Sequence, residues 1–344
     1  MNQVTLGSTG ITVDQNAFGA LPVQRRTLDD AVAIIRRAYE GGMRYFDTAR
    51  AYTDSEEKLG VAFKGMRNKV YIATKTQAKT PEKFWEDLET SLANLQTDYI
   101  DVHQFHMVDQ VWAPGDGTGM YECMLEAKEA GKIRHIGVTA QKIGVAFDLV
   151  ESGLYETMQF PFSYLSGDQE IRLAKLCAEK NMGFIAMKGL AGGLISRSDV
   201  AMAYLEDFPN VLPIWGVQRE HELDEWLSYM DDTPALTDEM RAYIEKEKTE
   251  LAGDFCRGCG YCLATCPVGI AINNCARMSL MLRRAPSDAW LTEHWQEEMK
   301  KIEDCIECGQ CSAHCPYELD TPNLLKNNYE DYKQVLAGKV AVDK

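Results

Sequence analysis

Eight short apolar segments that read as strands alternate with helix-like segments, and this alternation constrains the fold more than any other feature. A strand–helix alternation sustained over about 215 residues is typical of the α/β class, and eight repeats favour a (β/α)8 TIM barrel. A doubly wound sheet is the alternative, disfavoured because no glycine-rich dinucleotide turn follows the first strand. The segments are Asn16–Ala20, Arg44–Asp47, Val70–Thr74, Tyr99–Phe105, Ile133–Thr139, Met158–Phe162, Gly183–Met187 and Val211–Gly216.

Helical periodicity and capping residues place several of the intervening helices. Thr27 is an expected N-cap, Pro81 fits a first helical turn, and Gly131 follows an expected helix end. The predicted helices are Thr27–Glu40, Pro81–Leu95, Tyr121–Ala130 and Gln169–Lys180, after an N-terminal hairpin of Val4–Leu6 and Ile11–Val13. The long loop Met107–Met120 is expected to overhang the carboxyl end of the fourth strand and to influence substrate choice.

Polar residues stand where three of the strands end. Asp47 ends the second strand and Tyr52 follows in the next loop, whereas Lys75 and His106 follow the third and fourth strands. The carboxyl ends of parallel strands meet at one face, where α/β proteins place their active sites. The sequence therefore predicts that these four side chains lie together.

These residue types suit the donation of a proton to a carbonyl oxygen while a hydride arrives at its carbon. A free tyrosine, with a pKa of about 10, is a poor general acid at neutral pH. The Lys75 ammonium is expected to lower the pKa of Tyr52 toward the working range, with Asp47 holding the lysine charged. A hydrogen bond from His106 would orient the carbonyl.

The spacing of these four residues resembles the aldo-keto reductase family over Val4 to about Tyr229. Further similarities are Leu6-Gly7-Ser8-Thr9-Gly10, Phe18-Gly19-Ala20, Ser55-Glu56 and Ile136-Gly137-Val138. The resemblance implies a carbonyl or alcohol substrate of small size and an NAD(P)H cofactor. The pair Gln24-Arg25 is similar to the iron–sulfur branch of the family, which suggests an anaerobe. Arg25 is a candidate contact to an anionic substrate or to the cofactor.

The resemblance also implies where a nicotinamide cofactor binds. Thr139 matches the family's strand-five serine or threonine, and Gln159 matches its amide-contacting glutamine. Phe162 matches an aromatic residue that stacks on the nicotinamide ring. The loop that begins at Lys188 resembles the one that covers the pyrophosphate, and its glycines would let backbone N–H groups approach phosphate. The remaining implied contacts are Gly189, Leu190, Gly192, Gly216 and Arg219.

The adenine end departs from the family pattern. NADP-dependent members have a basic residue four positions before an asparagine. In this chain Glu222 stands at the basic position and Trp226 at the asparagine position. A carboxylate there would repel a 2′-phosphate, and Arg219 is the nearby positive charge. NADP, NAD and a flavin such as FMN therefore remain open as the cofactor.

Nine of the eleven cysteines lie between Cys256 and Cys315, which marks a domain boundary near residue 250. Eight of these nine form two runs with the pattern Cys-x2-Cys-x2-Cys-x3-Cys-Pro, and Cys275 lies between the runs. Zinc binds isolated Cys-x2-Cys pairs but has no use for a third close cysteine and a fourth before proline. The spacing therefore favours iron–sulfur clusters over zinc.

These runs resemble the two-cluster bacterial ferredoxin signature, in which the fourth cysteine of each run binds the other cluster. The resemblance implies two [4Fe–4S] clusters. One is held by Cys256, Cys259, Cys262 and Cys315, and the other by Cys305, Cys308, Cys311 and Cys266. The intervening segments Ala271–Arg284 and Trp290–Lys301 and the closing segment Pro322–Ala337 read as helices, so a mostly helical ferredoxin-type domain is expected.

Length and composition set the domain plan and the compartment. The 344 residues exceed the usual single-domain size, and we expect a barrel over 1–235, a linker helix over 236–252 and a ferredoxin-type domain over 253–344. A net charge of −16 argues against nucleic acid or an anionic membrane as partner. The start of the chain lacks a signal-peptide pattern, so a cytoplasmic protein is expected.

Three functional hypotheses follow. The first is an NAD(P)H-dependent carbonyl oxidoreductase whose clusters are structural or sense redox state. The second passes electrons between an external ferredoxin or flavodoxin and the barrel through a flavin, because each cluster carries one electron and carbonyl reduction takes a hydride. The third is a non-catalytic, redox-sensing barrel, which the complete set of four polar residues disfavours.

Overall fold

The computed structural model describes residues 1–342 except 218, 251–254, 257, 259, 261, 285–286 and 316–318. Contacts divide the chain into two compact units. One comprises Met1–Gly189 and Ser198–Leu236, and the other comprises Leu190–Arg197 and Thr237–Lys344. In the described ranges, no helix combines the length and the apolar character that crossing a bilayer requires.

The first unit is built on a closed barrel of eight parallel strands, which confirms the predicted fold class. A short antiparallel hairpin of β1 and β2 precedes the barrel. The strands are β1 Gln3–Thr5, β2 Thr12–Asp14, β3 Ala17–Gly19, β4 Tyr45–Asp47, β5 Tyr71–Thr76, β6 Ile100–Phe105, β7 Ile133–Thr139, β8 Thr157–Pro161, β9 Gly183–Met187 and β10 Val211–Gly216.

Helices follow the barrel strands in alternation. The predicted N-cap at Thr27 is confirmed, since its side chain accepts a hydrogen bond from the Asp30 N–H. Thr80 caps the next predicted helix in the same way, with Pro81 in the first turn. The helices of this unit are α1 Leu28–Glu40, α2 Ser55–Ala62, α3 Pro81–Asn94, α4 Met120–Glu129, α5 Ile143–Glu151, α6 Asp168–Glu179, α7 Ser198–Glu206 and α8 Glu220–Asp231.

The second unit is helical in the part of it that is described. Its apolar core contains Cys256, Cys262 and Cys311 beside aliphatic residues and Tyr332. The helices are α9 Asp238–Glu250, α10 Ile272–Cys275, α11 Met278–Arg284, α12 Glu293–Lys300, α13 Gln310–Ala313 and α14 Thr321–Leu336.

The segment predicted as one helix over Ala271–Arg284 is interrupted between α10 and α11. Asn328 of α14 inserts its side chain at the break, where Oδ1 accepts from the Ser279 N–H at 2.8 Å and Nδ2 donates to the Ala276 carbonyl at 3.2 Å. A side chain from a distant helix thus satisfies backbone groups that a continuous helix would have paired internally. Helical periodicity alone could not reveal this break.

Candidate active site and candidate metal centre

Side chains alternate along the strands and divide the barrel interior into two layers. The inward residues nearer the start of the strands include Ala17, Tyr45, Ala73, Val102 and Leu212, which belong to one apolar cluster with side chains of the hairpin. Two residues further along the strands, the inward positions become polar. We call this set the polar layer; it consists of Asp47, Lys75, Gln104 and Gln159.

A buried ion pair lies at the centre of the polar layer. The Lys75 Nζ donates to Asp47 Oδ1 at 2.6 Å and to the Thr48 carbonyl at 2.6 Å, and the two charged residues are 1% and 2% exposed. Gln104 Nε2 lies 3.4 Å from Asp47 Oδ2 and 2.9 Å from Gln159 Oε1. Burial raises the pKa of Asp47, whereas the Lys75 ammonium and the two glutamines act to lower it.

Tyr52 and His106 lie beside this ion pair, so the structure brings the four predicted residues together. The Lys75 Nζ is 5.3 Å from the centroid of the Tyr52 ring. The His106 ring stands edge-on to the Tyr52 ring, with centroids 5.8 Å apart and planes at 82°. The Tyr52 loop is held to β5 by the Arg50 N–H, which donates to the Lys75 carbonyl at 3.0 Å.

The expected lowering of the Tyr52 pKa is wrong. Burial raises the pKa of Tyr52 by more than the Lys75 ammonium lowers it, and Asp47 adds to the rise. The reason is that removal of the phenol from water disfavours the charged phenolate. Tyr52 therefore carries its proton at neutral pH.

His106 is a neutral imidazole at physiological pH. Burial, and secondarily the Lys75 ammonium, lower the pKa of His106 to about 3. Its Nδ1 is buried and has no hydrogen-bond partner among the described residues. Since no acceptor meets Nδ1 there, the single ring proton is best placed on Nε2.

A buried carboxylate that the sequence reasoning did not interpret anchors the Tyr52 loop. Glu56 in α2 pairs with Arg50 of that loop and accepts hydrogen bonds from Thr74 at 2.6 Å and Ser91 at 2.7 Å. Gln104 was also missed. The signal was present, because Gln104 stands two residues before His106 on the same face of β6.

Three non-glycine residues next to the site adopt left-handed backbone conformations. They are Thr53 after Tyr52, Met107 after His106, and Lys188 directly after β9, with φ of 41°, 57° and 60°. The Met107 N–H donates to Thr139 Oγ1 at 2.7 Å, which fixes the turn that carries His106. Such conformations are uncommon outside glycine and concentrate at functional sites.

The predicted nicotinamide contacts divide into two groups. Thr139, the last residue of β7, and Gln159, in the middle of β8, are both buried polar residues. The prediction that Phe162 stacks on the nicotinamide is wrong. Phe162 is 1% exposed and packs edge-on against Phe184 and Phe208, with centroids 5.5 and 5.1 Å away. Because side chains alternate, a residue three positions after the inward Gln159 faces the outer helices.

The cofactor contacts predicted after β9 and β10 are divided between the two units of the chain. Gly189 ends one stretch of the barrel unit and packs against the Trp215 ring, while Leu190 and Gly192 belong to the second unit. The other two predicted contacts are Gly216, the last residue of β10, and Arg219, the residue before α8.

The adenine-end residues are engaged with one another. Glu222 Oε2 accepts the Arg219 N–H at 3.0 Å, and its other oxygen is 3.9 Å from the Arg219 guanidinium. Trp226 is buried and stacks on Trp215, with ring centroids 3.9 Å apart. The positive charge of Arg219 is thus partly neutralised by the carboxylate that the sequence singled out.

The candidate substrate residue Arg25 is exposed at the end of a 3-10 helix, Pro22–Arg25. The buried ammonium of Lys58 holds this turn in place by donating hydrogen bonds to the carbonyls of Val23 at 3.1 Å and Arg26 at 2.9 Å. Thr53 Oγ1 lies 3.2 Å from Gln24 Oε1, which joins this turn to the Tyr52 loop.

In the second unit, four cysteines line one cavity. They are Cys266, Cys305, Cys308 and Cys311, the set expected for the second cluster. The surrounding wall is mainly apolar. Burial, and to a smaller extent Cys305 and Cys308, raise the pKa of Cys311. No group of three or more His, Cys, Asp or Glu side chains suited to a single metal ion is found among the described residues.

The set expected for the first cluster is described in part. Cys256 and Cys262 are buried and Cys315 is half-buried against the same core, whereas Cys259 lies outside the described residues. The Gly258 N–H donates to Cys256 Sγ at 3.4 Å. The remaining cysteines, Cys123, Cys177 and Cys275, are buried, and burial raises the pKa of Cys177 and of Cys275 to about 12.

Comparison with known families matches both units. Residues 16–209 match the Aldo/keto reductase family, and residues 255–320 match the 4Fe-4S dicluster domain. Similar proteins include L-galactose dehydrogenase of Arabidopsis thaliana, 29% identical over 211 residues, and aldo-keto reductase YhdN of Bacillus subtilis, 30% identical over 215 residues. These matches span 56% and 57% of this chain and 66% and 64% of the relatives, less than two thirds of their length.

Solved structures share the fold. Aldo-keto reductase AKR11C1 from Bacillus halodurans, in its holo form, superposes with a TM-score of 0.62 at 24% identity, covering 72% of this chain and 96% of that chain. An aldo-keto reductase from Klebsiella pneumoniae in complex with NADPH gives a TM-score of 0.60 at 22% identity, covering 71% and 94%.

Proposed function

The chain belongs to the aldo/keto reductase family, and on that premise we propose that it transfers a hydride between NAD(P)H and a small aldehyde or ketone, or the corresponding alcohol. The observation that carries the proposal is the assembly of Tyr52, His106 and the Asp47–Lys75 ion pair at the carboxyl end of the barrel. A regulatory barrel without chemistry would have no need of a buried ion pair beside a protonated phenol.

Tyr52 is the proton donor of the proposed reduction. Its raised pKa keeps the phenol protonated until a substrate oxygen is in place. As negative charge develops on that oxygen and moves onto the phenolate, the ammonium of Lys75 stabilises it, because the lysine is fixed and lies in a region with little water. Asp47 keeps the ammonium in position through its 2.6 Å bond.

His106 orients the carbonyl. With the proton on Nε2, the neutral ring donates one hydrogen bond to the substrate oxygen and does not compete with Tyr52 as an acid, since its pKa is about 3. In the reverse direction the same groups accept the alcohol proton through the Tyr52 phenolate.

The residues present fit a nicotinamide cofactor. Gln104 Oε1 is buried without a hydrogen-bond partner among the described residues, beside Gln159, and a carboxamide is a group that could satisfy it. When bound, NAD(P)H supplies the hydride. Thr139, Gln159, Lys188, Gly189, Gly216 and Arg219 would hold it, and the Glu222–Arg219 contact favours NAD over NADP. FMN is not part of the proposal, because no feature of the described site favours it.

The second unit would hold two [4Fe–4S] clusters. Cys266 comes from the first cysteine run and shares its cavity with three cysteines of the second run, as cross-ligation requires. Each cluster would accept and release one electron at a time.

One observation favours a second candidate function, in which the clusters exchange electrons with another protein. Cys308 is exposed and its neighbour Ile306 is 68% exposed, so a cluster bound there would lie close to solvent. A redox protein such as a ferredoxin or flavodoxin is the proposed partner. Under this version a Cys266→Ala enzyme loses ferredoxin-linked activity but keeps NAD(P)H-dependent reduction.

Replacement of Tyr52 tests the main proposal. In anaerobically reconstituted protein, Tyr52→Phe should lower the rate of aldehyde-dependent NAD(P)H oxidation by roughly 100-fold or more, because the proton donor is lost. NAD(P)H binding, measured by fluorescence titration, should be unchanged. Tyr39→Phe, a hydroxyl deletion in α1 remote from the polar layer, is the control. Wild-type turnover in Tyr52→Phe would refute the role of this residue.

A further inference from the structure

Arg277, at the break between α10 and α11, lies between two glycines of the second unit. A Cβ atom added at Gly192 would lie 3.0 Å from Arg277 Nη1, and one added at Gly258 would lie 3.2 Å from its Cζ and Nη1. Both glycines have left-handed backbones, with φ of +69° and +70°. The guanidinium therefore packs closely against the backbone at Gly192 and Gly258, where a side chain would collide with it.

The Nε of Arg277 is buried and has no hydrogen-bond partner among the described residues. Burial lowers the pKa of Arg277, while the Cys256 thiolate opposes that effect. Arg283, six residues further on, provides a contrast, because it makes two hydrogen bonds to Asp331 at 2.6 and 2.7 Å. Arg277 is half-buried, and a guanidinium partly withdrawn from water gains stability from an anion beside it.

The position of Gly258 and the charge of an iron–sulfur cluster indicate which anion would lie beside Arg277. Gly258 lies inside the first cysteine run, and its N–H donates to Cys256 Sγ. Four thiolates and an iron–sulfur core carry a net negative charge that increases when the cluster accepts an electron. A fixed positive charge nearby stabilises the reduced form more than the oxidised form and so raises the reduction potential.

We propose that Arg277 is the counter-charge of the first cluster, held between Gly192 and Gly258, and that it raises the reduction potential of this cluster without affecting that of the second. Arg277 is a positioning and tuning residue, not a cluster ligand. The inference rests on the proposed presence of two clusters.

The test is a redox titration of anaerobically reconstituted protein followed by electron paramagnetic resonance, with iron content measured first. Arg277→Gln, which removes the charge at similar size, should shift the potential of one cluster to a more negative value and leave the other unchanged. Arg277→Lys, which keeps the charge, should stay near wild type. Arg283→Gln is the matched control, because it removes an arginine of the same unit that is already paired.

Other outcomes are equally decisive. If Arg277→Gln loses half of its iron while Arg277→Lys retains all of it, the charge is needed to hold the first cluster, which supports the proposal. Unchanged potentials in an Arg277→Gln protein with a full iron content would overturn it. Weakened NAD(P)H binding with unchanged potentials would also overturn it and would assign the guanidinium to a phosphate. Wild-type protein with four irons or fewer would instead refute the two-cluster premise.

Discussion

At the residue scale, the chemistry of the candidate site depends on a competition between burial and nearby charge. The sequence predicts that Lys75 lowers the pKa of Tyr52, and its ammonium does act in that direction. Burial has the larger effect, because the aromatic ring lies in a region from which water is largely excluded. The same effect lowers the pKa of His106 and leaves a neutral donor next to a protonated phenol.

Another buried histidine makes the stability of the barrel depend on pH. His103 on β6 packs edge-on to Phe84, and burial lowers its pKa to about 4. The unfolded chain binds a proton near pH 6.5, whereas the folded protein does not, so stability is fully present above pH 6.5 and is lost as the pH falls toward 4. His103 should account for roughly 3 kcal/mol of that loss.

Urea denaturation followed by circular dichroism, at a series of pH values, measures this effect. His103→Leu should flatten the decline in the free energy of unfolding between pH 6.5 and 4.5, whereas the exposed His221→Leu should leave it unchanged. A decline of equal steepness in wild type and His103→Leu would mean that His103 is not its source.

At the element scale, the strands carry the polar layer, and two helices hold the segments beside it. α2 has eight residues, yet most of them are buried and Glu56 links it to β5, α3 and the Tyr52 loop. α8 begins with the Arg219–Glu222 contact that faces the expected adenine end. These two elements allow separate predictions for stability and for cofactor choice.

Replacement of Glu56 by glutamine should destabilise the barrel by about 3 kcal/mol, because the amide cannot accept from all of its present donors and Arg50 loses its partner. Turnover should fall as well, since the Tyr52 loop is less firmly held. The adjacent and exposed Glu57→Gln should stay within about 0.5 kcal/mol of wild type. Equal unfolding midpoints in urea for the two variants would contradict the anchoring role of Glu56.

Glu222→Gln should improve the use of NADPH relative to NADH by about tenfold, which corresponds to about 1.4 kcal/mol. The reason is that loss of the carboxylate removes repulsion of a 2′-phosphate and releases the Arg219 guanidinium. The ratio of kcat/KM values for the two cofactors is the measurement. Glu220→Gln, an exposed residue of the same helix turn, is the control, and an equal change in both variants would argue against a specific effect of Glu222.

At the scale of the whole molecule, two units with different architectures are joined in one chain. The segment Leu190–Arg197 directly follows Gly189 of the barrel unit in the sequence. By its contacts, however, it belongs to the second unit. The boundaries expected from the sequence, with the barrel ending at 235 and the ferredoxin-type domain beginning at 253, remain a prediction. The cluster arrangement is the property that is best tested on the intact protein.

Reconstituted protein should contain about eight irons, from two four-iron clusters. Cys266→Ala and Cys308→Ala should alter the same paramagnetic signal, because both side chains line one cavity, whereas Cys262→Ala should alter the other. Cys275→Ala, a buried cysteine outside both sets, should alter neither. If Cys266→Ala and Cys262→Ala affected the same cluster, each run would bind its own cluster and cross-ligation would be refuted.

The sequence by itself determined what local pattern and covalent spacing can determine. Strand–helix alternation predicted the barrel, and polar residues at strand ends predicted that Asp47, Lys75 and His106 would lie near Tyr52. Parallel strands of similar length must present their carboxyl ends at one face. The cysteine spacing predicted the cluster region for a similar reason, because the chain itself limits how far apart the ligands of one run can lie.

Tertiary structure decided whatever depends on partners distant in the chain. The outward direction of Phe162, the break in the helix at Asn328 and the raised pKa of Tyr52 each depend on packing that no short segment encodes. The same is true of Arg277, whose two glycine neighbours are 85 and 19 residues away in sequence. Burial is a collective property of the folded chain, so desolvation and unpaired charge become apparent only when the surrounding elements are in place.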